Sequence, residues 1–523
     1  MRFVSLTHPP TFCFSELKAP RDHGDVLVAP DPSGWIPAAR ANHKALNDSE
    51  TPLLQSTLGE WRRRTREAIT GNAEQMIVVT GHQPAFIHPG VWAKHIAAAR
   101  FAEATSGSAV NLVVDSDVPK RTSLAIAMEE GGQILLRGVP YAELQVGHSY
   151  EQIARQDAKR MTQFEASMRH AMGPRFDRSQ VPLFLGGMRS VPNARDWVDQ
   201  AVAGRRAVEA KFGVTLDDRR ISQCCPGPLL ADMLLNAPRY VASYNAALAA
   251  YRTTHGIRGV RRPIPDLHLA GDRLELPVWA WRPNDHRHRL FVSRNDENVR
   301  LFAEEVFIGD LPVRSLDSME SLAPYLGDWR LRPRALTLTI WARLLLADLF
   351  VHGIGGAKYD RISDRIMADY YGVVPPYMAC VSATLRLDLP DRGITPKDLA
   401  LLRRGLRDFQ FNPQRYVAGR TELGDLIERR AAAVELAAKL RRQEPRNRAA
   451  RRRAFQEIRH ATAAVVDGAR DGLEAKRSEL DFATTKLEQA SIARGREYFF
   501  GLFREESLHE LMDALPSAGE FRV

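Results

Sequence analysis

Two short apolar runs constrain this chain more than any other feature. Met76-Ile77-Val78-Val79-Thr80 ends at Gly81, and Val110-Asn111-Leu112-Val113-Val114 ends in Asp115-Ser116-Asp117. Each is brief, rich in β-branched residues and apolar on both faces, as a strand buried between two layers must be. The stretch 91–104 between them has helical composition and apolar spacing. Strand, loop, helix and strand within about 40 residues form a βαβ unit, so the expected fold class is α/β around a parallel sheet. Sites in such sheets lie at the carboxyl ends of the strands. Gly81-His82 and Asp115-Ser116-Asp117 both emerge there.

Charge narrows the function classes. The net charge is +10, but residues 439–453 alone carry +7, leaving +3 for everything else. A nearly neutral body with one basic spot argues against a dedicated nucleic-acid-coating protein. The four cysteines (Cys13, Cys224, Cys225 and Cys380) are too scattered for a disulfide framework and have no zinc-type spacing. The most apolar stretch, 336–351, contains Arg343 and Asp348 and so does not suit a membrane span. Pro9 and Pro10 interrupt the N-terminus before any apolar signal region. A soluble, reduced, cytoplasmic protein is expected.

The expected organisation has four parts. Residues 1–70 form a leader that packs on the core. Residues 71–420 form the core, with insertions around 140–330 that include a hairpin over 274–292. The core resumes with a helix over 334–349. In 421–495, Leu423, Ile427, Val434 and Ala438 make one heptad-like stripe, and Val466, Ala469, Leu473, Leu480, Ala483 and Leu487 make another. Pro445 and Asn447 interrupt between the stripes, predicting an antiparallel helical hairpin. Gly468 and Gly472 predict a bend in its second helix. Residues 496–523 return to the core.

Three segments carry candidate chemistry. Gly81, directly after a buried strand, lets the backbone approach a ligand, and the next helix N-terminus offers amides and a positive dipole to an anion. His82 and His88 add donors for developing phosphate or carboxylate charge, with Gln83, Gly90, Trp92 and Lys94 beside them. The plainer reading is a strand-to-helix turn with a capping histidine. Asp115 and Asp117 suit a substrate amine or hydroxyl, a general base, or a hydrated Mg²⁺. The plainer reading there is a polar strand end. His352, Gly353, Gly355, Gly356, Lys358, Tyr359 and Asp360 form a second glycine cluster beside a lysine, without P-loop spacing. It reads equally as a tight turn.

Other features have bland readings. His286 and His288 have chelate spacing, but no third ligand is evident nearby. Cys224-Cys225 reads as a buried turn, Trp279 and Trp281 as packing, and the arginine-rich tip as a solvated helix end rather than an RNA contact.

With these segments in view, the chain resembles the bacillithiol biosynthesis cysteine-adding enzyme family. The resemblance rests on Val78-Val79-Thr80-Gly81-His82-Gln83, the acidic strand end at Asp115 and Asp117, and the glycine-rich element from Gly353 to Tyr359. Pro375-Pro376 and the close Leu502-Phe503-Arg504-Glu505-Glu506-Ser507-Leu508 add to it. It implies a Rossmann-like core, a nucleotide pocket for ATP or ADP, and a C-terminal coiled coil that pairs two subunits. It also implies a ligase joining cysteine to an amino-sugar acceptor such as glucosaminyl malate. This chain departs from the family in having His82 for the first glutamine after Thr-Gly, the segment 84–89 for a glycine-rich loop, and only Asp115-Ser116-Asp117 for a longer acidic cluster. The alternative expectation is a non-catalytic ligand-binding or assembly protein of the same fold.

Overall fold

Ile77, Val78 and Val79 have no exposed surface, because their strand, Ile77–His82, lies inside a sheet covered on both faces. A computed structural model describes residues 14–144, 146–224, 227–259, 264–316, 322–390 and 393–521. The sheet has six strands in the spatial order Val26–Ala29, Met378–Ala383, Leu349–His352, Ile77–His82, Ser108–Val113 and Asp217–Arg220. All neighbours are parallel except the edge strand Val26–Ala29. Counted along the chain, the parallel strands stand in the order third, second, first, fourth, fifth. The order therefore reverses between Ile77–His82 and Leu349–His352.

Two of these strands depart from the sequence expectation. Asp217–Arg220 falls in the region read as insertion, yet it joins the central sheet at its edge. Its charged side chains hide a strand, and each is paired: Asp218 with Arg205 and Arg206, and Arg220 with Asp115 and Asp196. The helix expected over 334–349 is Ala335–Trp341, which widens into a π turn over Ala342–Leu346 and gives way to the strand Leu349–His352. The two charges that break the apolar stretch are buried and paired, Arg343 with Asp360 and Asp364, and Asp348 with Arg62 and Arg66.

The hairpin expected over 274–292 is present as Arg273–Trp281 and His288–Arg294. It belongs to a second, antiparallel sheet with Leu269–Ala270, Asn298–Ala303, Val306–Pro312 and Arg330–Pro333. Cys13, Cys225 and Pro226 lie outside the described residues, so the expected Cys224-Cys225 turn is not described. Cys224 and Cys380 are unbridged. No helix among the described residues is long and apolar enough to cross a membrane.

The chain divides into two compact units, one comprising 1–126, 137–387 and 496–523 and the other 127–136 and 388–495. The second unit thus begins well before 421. It takes in the helix Pro396–Phe411, whose Phe409 packs with Leu423, Val465 and Leu473. Its helices Gly424–Gln443 and Arg448–Gly468 pair across the turn at 444–447, where Asn447 accepts a hydrogen bond from Ala450 N at 3.1 Å. The helix breaks after Gly468 and restarts as Arg470–Ala493. A Cβ at Gly468 would lie 2.5 Å from Leu423 Cδ2, so glycine permits this close approach. Of the expected first stripe, Leu423 is buried and Val434 is exposed.

Candidate functional site

At the reversal of strand order, the loops after Ile77–His82, Ser108–Val113 and Leu349–His352 surround one cavity of about 880 Å³. A crevice at the carboxyl ends of parallel strands forms at such a reversal because the crossover connections diverge to opposite faces. His82, Gln83, His88, Gly90, Lys94 and Asp117 line one part of it. His352, Gly353, Gly355, Gly356, Tyr359 and Asp360 line another. The histidine loop and the glycine cluster, more than 250 residues apart in sequence, therefore line the same cavity.

Three expected site residues do not reach the wall. Trp92 is fully buried and stacks on Phe500 at a centroid distance of 5.1 Å. Lys358 is half-buried on the helix Ile354–Asp369 and does not line the cavity. Asp115 is buried, accepting from Arg220 Nε at 2.7 Å and from Ser222 N at 2.9 Å. Its carboxylate anchors the edge strand and leaves no oxygen for a substrate. Asp117 alone of the acidic pair faces the cavity. It accepts from Gln83 Nε2 at 2.8 Å and from Arg287 Nη1 at 3.1 Å.

The histidines are neutral acceptors rather than cationic donors. His82 Nδ1 lies 3.0 Å from the carbonyl oxygen of Gln83. A carbonyl can only accept, so Nδ1 carries the proton and Nε2 is left as an acceptor. Burial, and next the Lys94 charge, push the His82 pKa down to about 3. His88 caps the helix Pro89–Thr105 by accepting from Gly90 N at 3.1 Å. Burial, with Arg496 and Lys94 nearby, pushes its pKa down to about 4.

Positive charge on the wall comes instead from Lys94 and three arginines. Lys94 Nζ donates to Gly81 O at 2.8 Å, and among the described residues it has no carboxylate partner. Burial lowers its pKa to about 8. Arg496 donates to Ser382 Oγ at 3.0 Å. Arg287 and Arg334 approach the ring of Trp279 at 4.7 and 4.2 Å. Arg334 pairs with Glu275 at 2.8 Å, yet its Nε and Nη2 are buried without partners. Sequence reasoning missed these arginines and the role of Trp279. They come from the antiparallel sheet and the C-terminal segment, and no local pattern links them to the histidine loop.

The glycine cluster opens the helix Ile354–Asp369, whose cap position is Gly353 and has no side-chain hydrogen bond. Its first amides therefore remain available to an anion. His352 stands behind them, with Nε2 3.0 Å from Asp360 Oδ2. Burial disfavours the Asp360 anion, but Arg343 and His352 hold its pKa well below the usual carboxylate range. A Cβ at Gly356 would lie 2.7 Å from His352 Nδ1. Gly356→Ala is therefore expected to push His352 off Asp360. The expected cost is about 1–3 kcal/mol of stability, as for an overpacked core site, measured by urea denaturation. A variant as stable as wild type would show that His352 is free to move.

No protein-family model matches the chain, and no curated protein matches it either.

Proposed function

We propose that the protein is a small-molecule enzyme with a Rossmann-like core, a carbon–nitrogen ligase that binds ATP or ADP in the switch-point cavity. The observation that carries this reading is the convergence on one cavity of the open N-terminus of Ile354–Asp369 with the ammonium of Lys94, which has no carboxylate partner among the described residues. Its volume of about 880 Å³ lies within the roughly 300–1,000 Å³ of small-ligand sites. The parallel strand order third, second, first, fourth, fifth is that of dinucleotide-binding sheets. In this reading the amides after Gly353 and the Lys94 ammonium hold phosphate. His82 Nε2 and Asp117 accept from a substrate amine or hydroxyl, and Arg287 and Arg334 bind a second anionic group. Bound ATP would supply activation of a carboxylate by phosphoryl or adenylyl transfer, releasing ADP or pyrophosphate, and attack by an amine would then expel phosphate or AMP. The resemblance in sequence makes cysteine the amino acid and an amino sugar such as glucosaminyl malate the acceptor.

A Mg²⁺ site built on the acidic pair does not fit, because Asp115 is held by Arg220 and Ser222 and Asp117 is paired with Arg287. The test is calorimetry with ATP and ADP, followed by product analysis with cysteine, glucosaminyl malate and ATP. Saturable nucleotide binding and an amide product are expected, and absence of both would overturn the reading.

The locked Asp115 carboxylate favours a second reading, a ligand-binding or assembly protein without turnover. Val434, Leu436, Phe455 and Phe482 are exposed on the helical unit and support its use as a coiled-coil arm that pairs two subunits. Tight nucleotide binding with no product under any amino acid and acceptor pair would favour that reading.

A further inference from the structure

The turn between the strands Arg273–Trp281 and His288–Arg294 gathers a set of side chains that the cavity does not use. Asp285, His286 and His288 each present a ligand-type atom, and these atoms lie within 4.8 Å of one another. Asp285 Oδ1 is 2.9 Å from His286 Nδ1, and its Oδ2 is 3.2 Å from His288 Nε2. The two histidines alone are a chelating pair without a third ligand, and the fold supplies that ligand from the adjacent aspartate.

The turn is held from outside itself. Asn284, in the left-handed region at φ 63, donates its amide to Gln152 Oε1 at 2.8 Å. Gln152 Nε2 donates to Asp285 O at 3.0 Å, and Arg287 N donates to Gly147 O. Backbone positions on both sides of the cluster are thus fixed by the neighbouring loop, as a preorganised ligand set requires.

We propose that Asp285, His286 and His288 bind a first-row divalent cation of the zinc type. Two imidazole nitrogens and one carboxylate oxygen suit Zn²⁺ or Co²⁺, whereas Mg²⁺ and Ca²⁺ take all-oxygen sets. Ligand atoms around a tetrahedral Zn²⁺ stand roughly 3.3 Å apart, given metal bonds of about 2.0–2.1 Å. His286, 58% exposed at its side chain, has the freedom to close the remaining distance. Each imidazole would bind through the nitrogen that now faces Asp285 and carry its proton on the other. The fourth position would be open to water.

The site has a consequence for the cavity. Arg287 lies between the two histidines in sequence and reaches the cavity wall, donating to Ser116 O at 2.9 Å and Asp117 Oδ1 at 3.1 Å. A cation at the turn would brace the segment that presents this arginine. The metal site stands independently of what the cavity binds.

The test uses the full chain, stripped with EDTA and titrated with Zn²⁺ by calorimetry and with Co²⁺ by visible absorption. One Zn²⁺ equivalent and the intense bands of tetrahedral Co²⁺ are expected. In the double variant His286→Ala, His288→Ala the affinity should fall by about 100-fold or more and the Co²⁺ bands should vanish. Asp285→Asn keeps the size of the side chain and should weaken Zn²⁺ by about 10-fold or more. Near-ultraviolet circular dichroism of the metal-free variants checks that the fold persists, and His286→Gln, at the most exposed position, serves if the double variant fails that check. Identical titrations for wild type and variants, or no saturable Zn²⁺ binding to wild type, would overturn the proposal.

Discussion

Asp348→Ala is expected to destabilise the α/β unit by about 3–5 kcal/mol, the usual cost of stripping one partner from a buried ionic cluster. The Asp348 side chain is 0% exposed, as are those of Arg62 and Arg66. Its oxygens accept from Arg62 Nη2 at 2.5 Å, from Arg66 Nη1 and Nη2 at 3.1 and 3.2 Å, and from Ile77 N at 2.7 Å. It therefore ties the start of the strand Ile77–His82 to two guanidinium groups packed under the sheet. Burial already pushes the Arg62 pKa down to about 10 with Asp348 in place. Without the carboxylate, two charges would share a dry site with no counter-charge at this node.

Guanidinium denaturation at pH 7 measures this loss. A fall below about 1 kcal/mol would mean that water enters the site and the cluster is not truly buried. The triple variant Arg62→Met, Arg66→Met, Asp348→Leu should not recover the stability, because Arg62 and Arg66 also donate to the backbone carbonyls of Leu344, Ala347, Ala73 and Leu346, which would be left unsatisfied. The pH dependence has a definite sign. Burial opposes the Asp348 anion, but the His43 hydrogen bond and the Arg62 and Arg66 charges hold its pKa below the usual carboxylate value. The stabilisation is thus present above the unfolded carboxylate pKa of about 3.9 and lost as pH falls through the lower folded value. Acid titration of the wild type should include this loss, and the Asp348→Ala variant should lack it.

The second large effect is on binding. On the proposed nucleotide-binding reading, Lys94→Met should weaken ATP by about 100-fold or more, corresponding to about 2.7 kcal/mol, because the methionine keeps the volume and removes the ammonium. Stability should move the other way. Lys94 is only 4% exposed and has a pKa near 8 against an ordinary 10.5. The unfolded chain therefore holds the proton more tightly than the folded one. Wild-type stability from this group rises as pH goes from 8 to 10.5, by about 3 kcal/mol at about 1.4 kcal/mol per pH unit. The methionine variant should lack that rise and be at least as stable as wild type at pH 7. Calorimetry with ATP and denaturation curves at pH 7 and 10 read both effects. Unchanged ATP affinity would remove Lys94 from the binding site, and a parallel loss of stability would make it a structural residue.

The legible parts of this protein are those written in adjacent residues. The apolar runs ending at Gly81 and Asp115, the helix between them, and the glycine cluster after His352 all declare themselves through local spacing. Asp217–Arg220 did not, because a charged edge strand lacks the apolar alternation that marks a strand, and its pairing partners lie elsewhere in the chain. Leu349–His352 did not either, because its first residue reads as the end of the preceding helix and the two apolar residues left before His352 are too few to mark a strand. Asp115 and Asp117 look alike in sequence. Only the arrival of Arg220, 105 residues away, makes one a structural anchor and leaves the other on the cavity wall.

Local periodicity by itself determined that this chain builds a parallel α/β core with an appended helical unit, since helix and strand periods follow from neighbouring side chains. Tertiary structure decided which strand adjoins which, and hence where the order reverses and the cavity opens. It also decided which charges are paired with one another and which, like Lys94, have no carboxylate partner among the described residues. Those outcomes depend on long-range pairing in a low-dielectric interior, where a partner hundreds of residues away outweighs every neighbour in sequence.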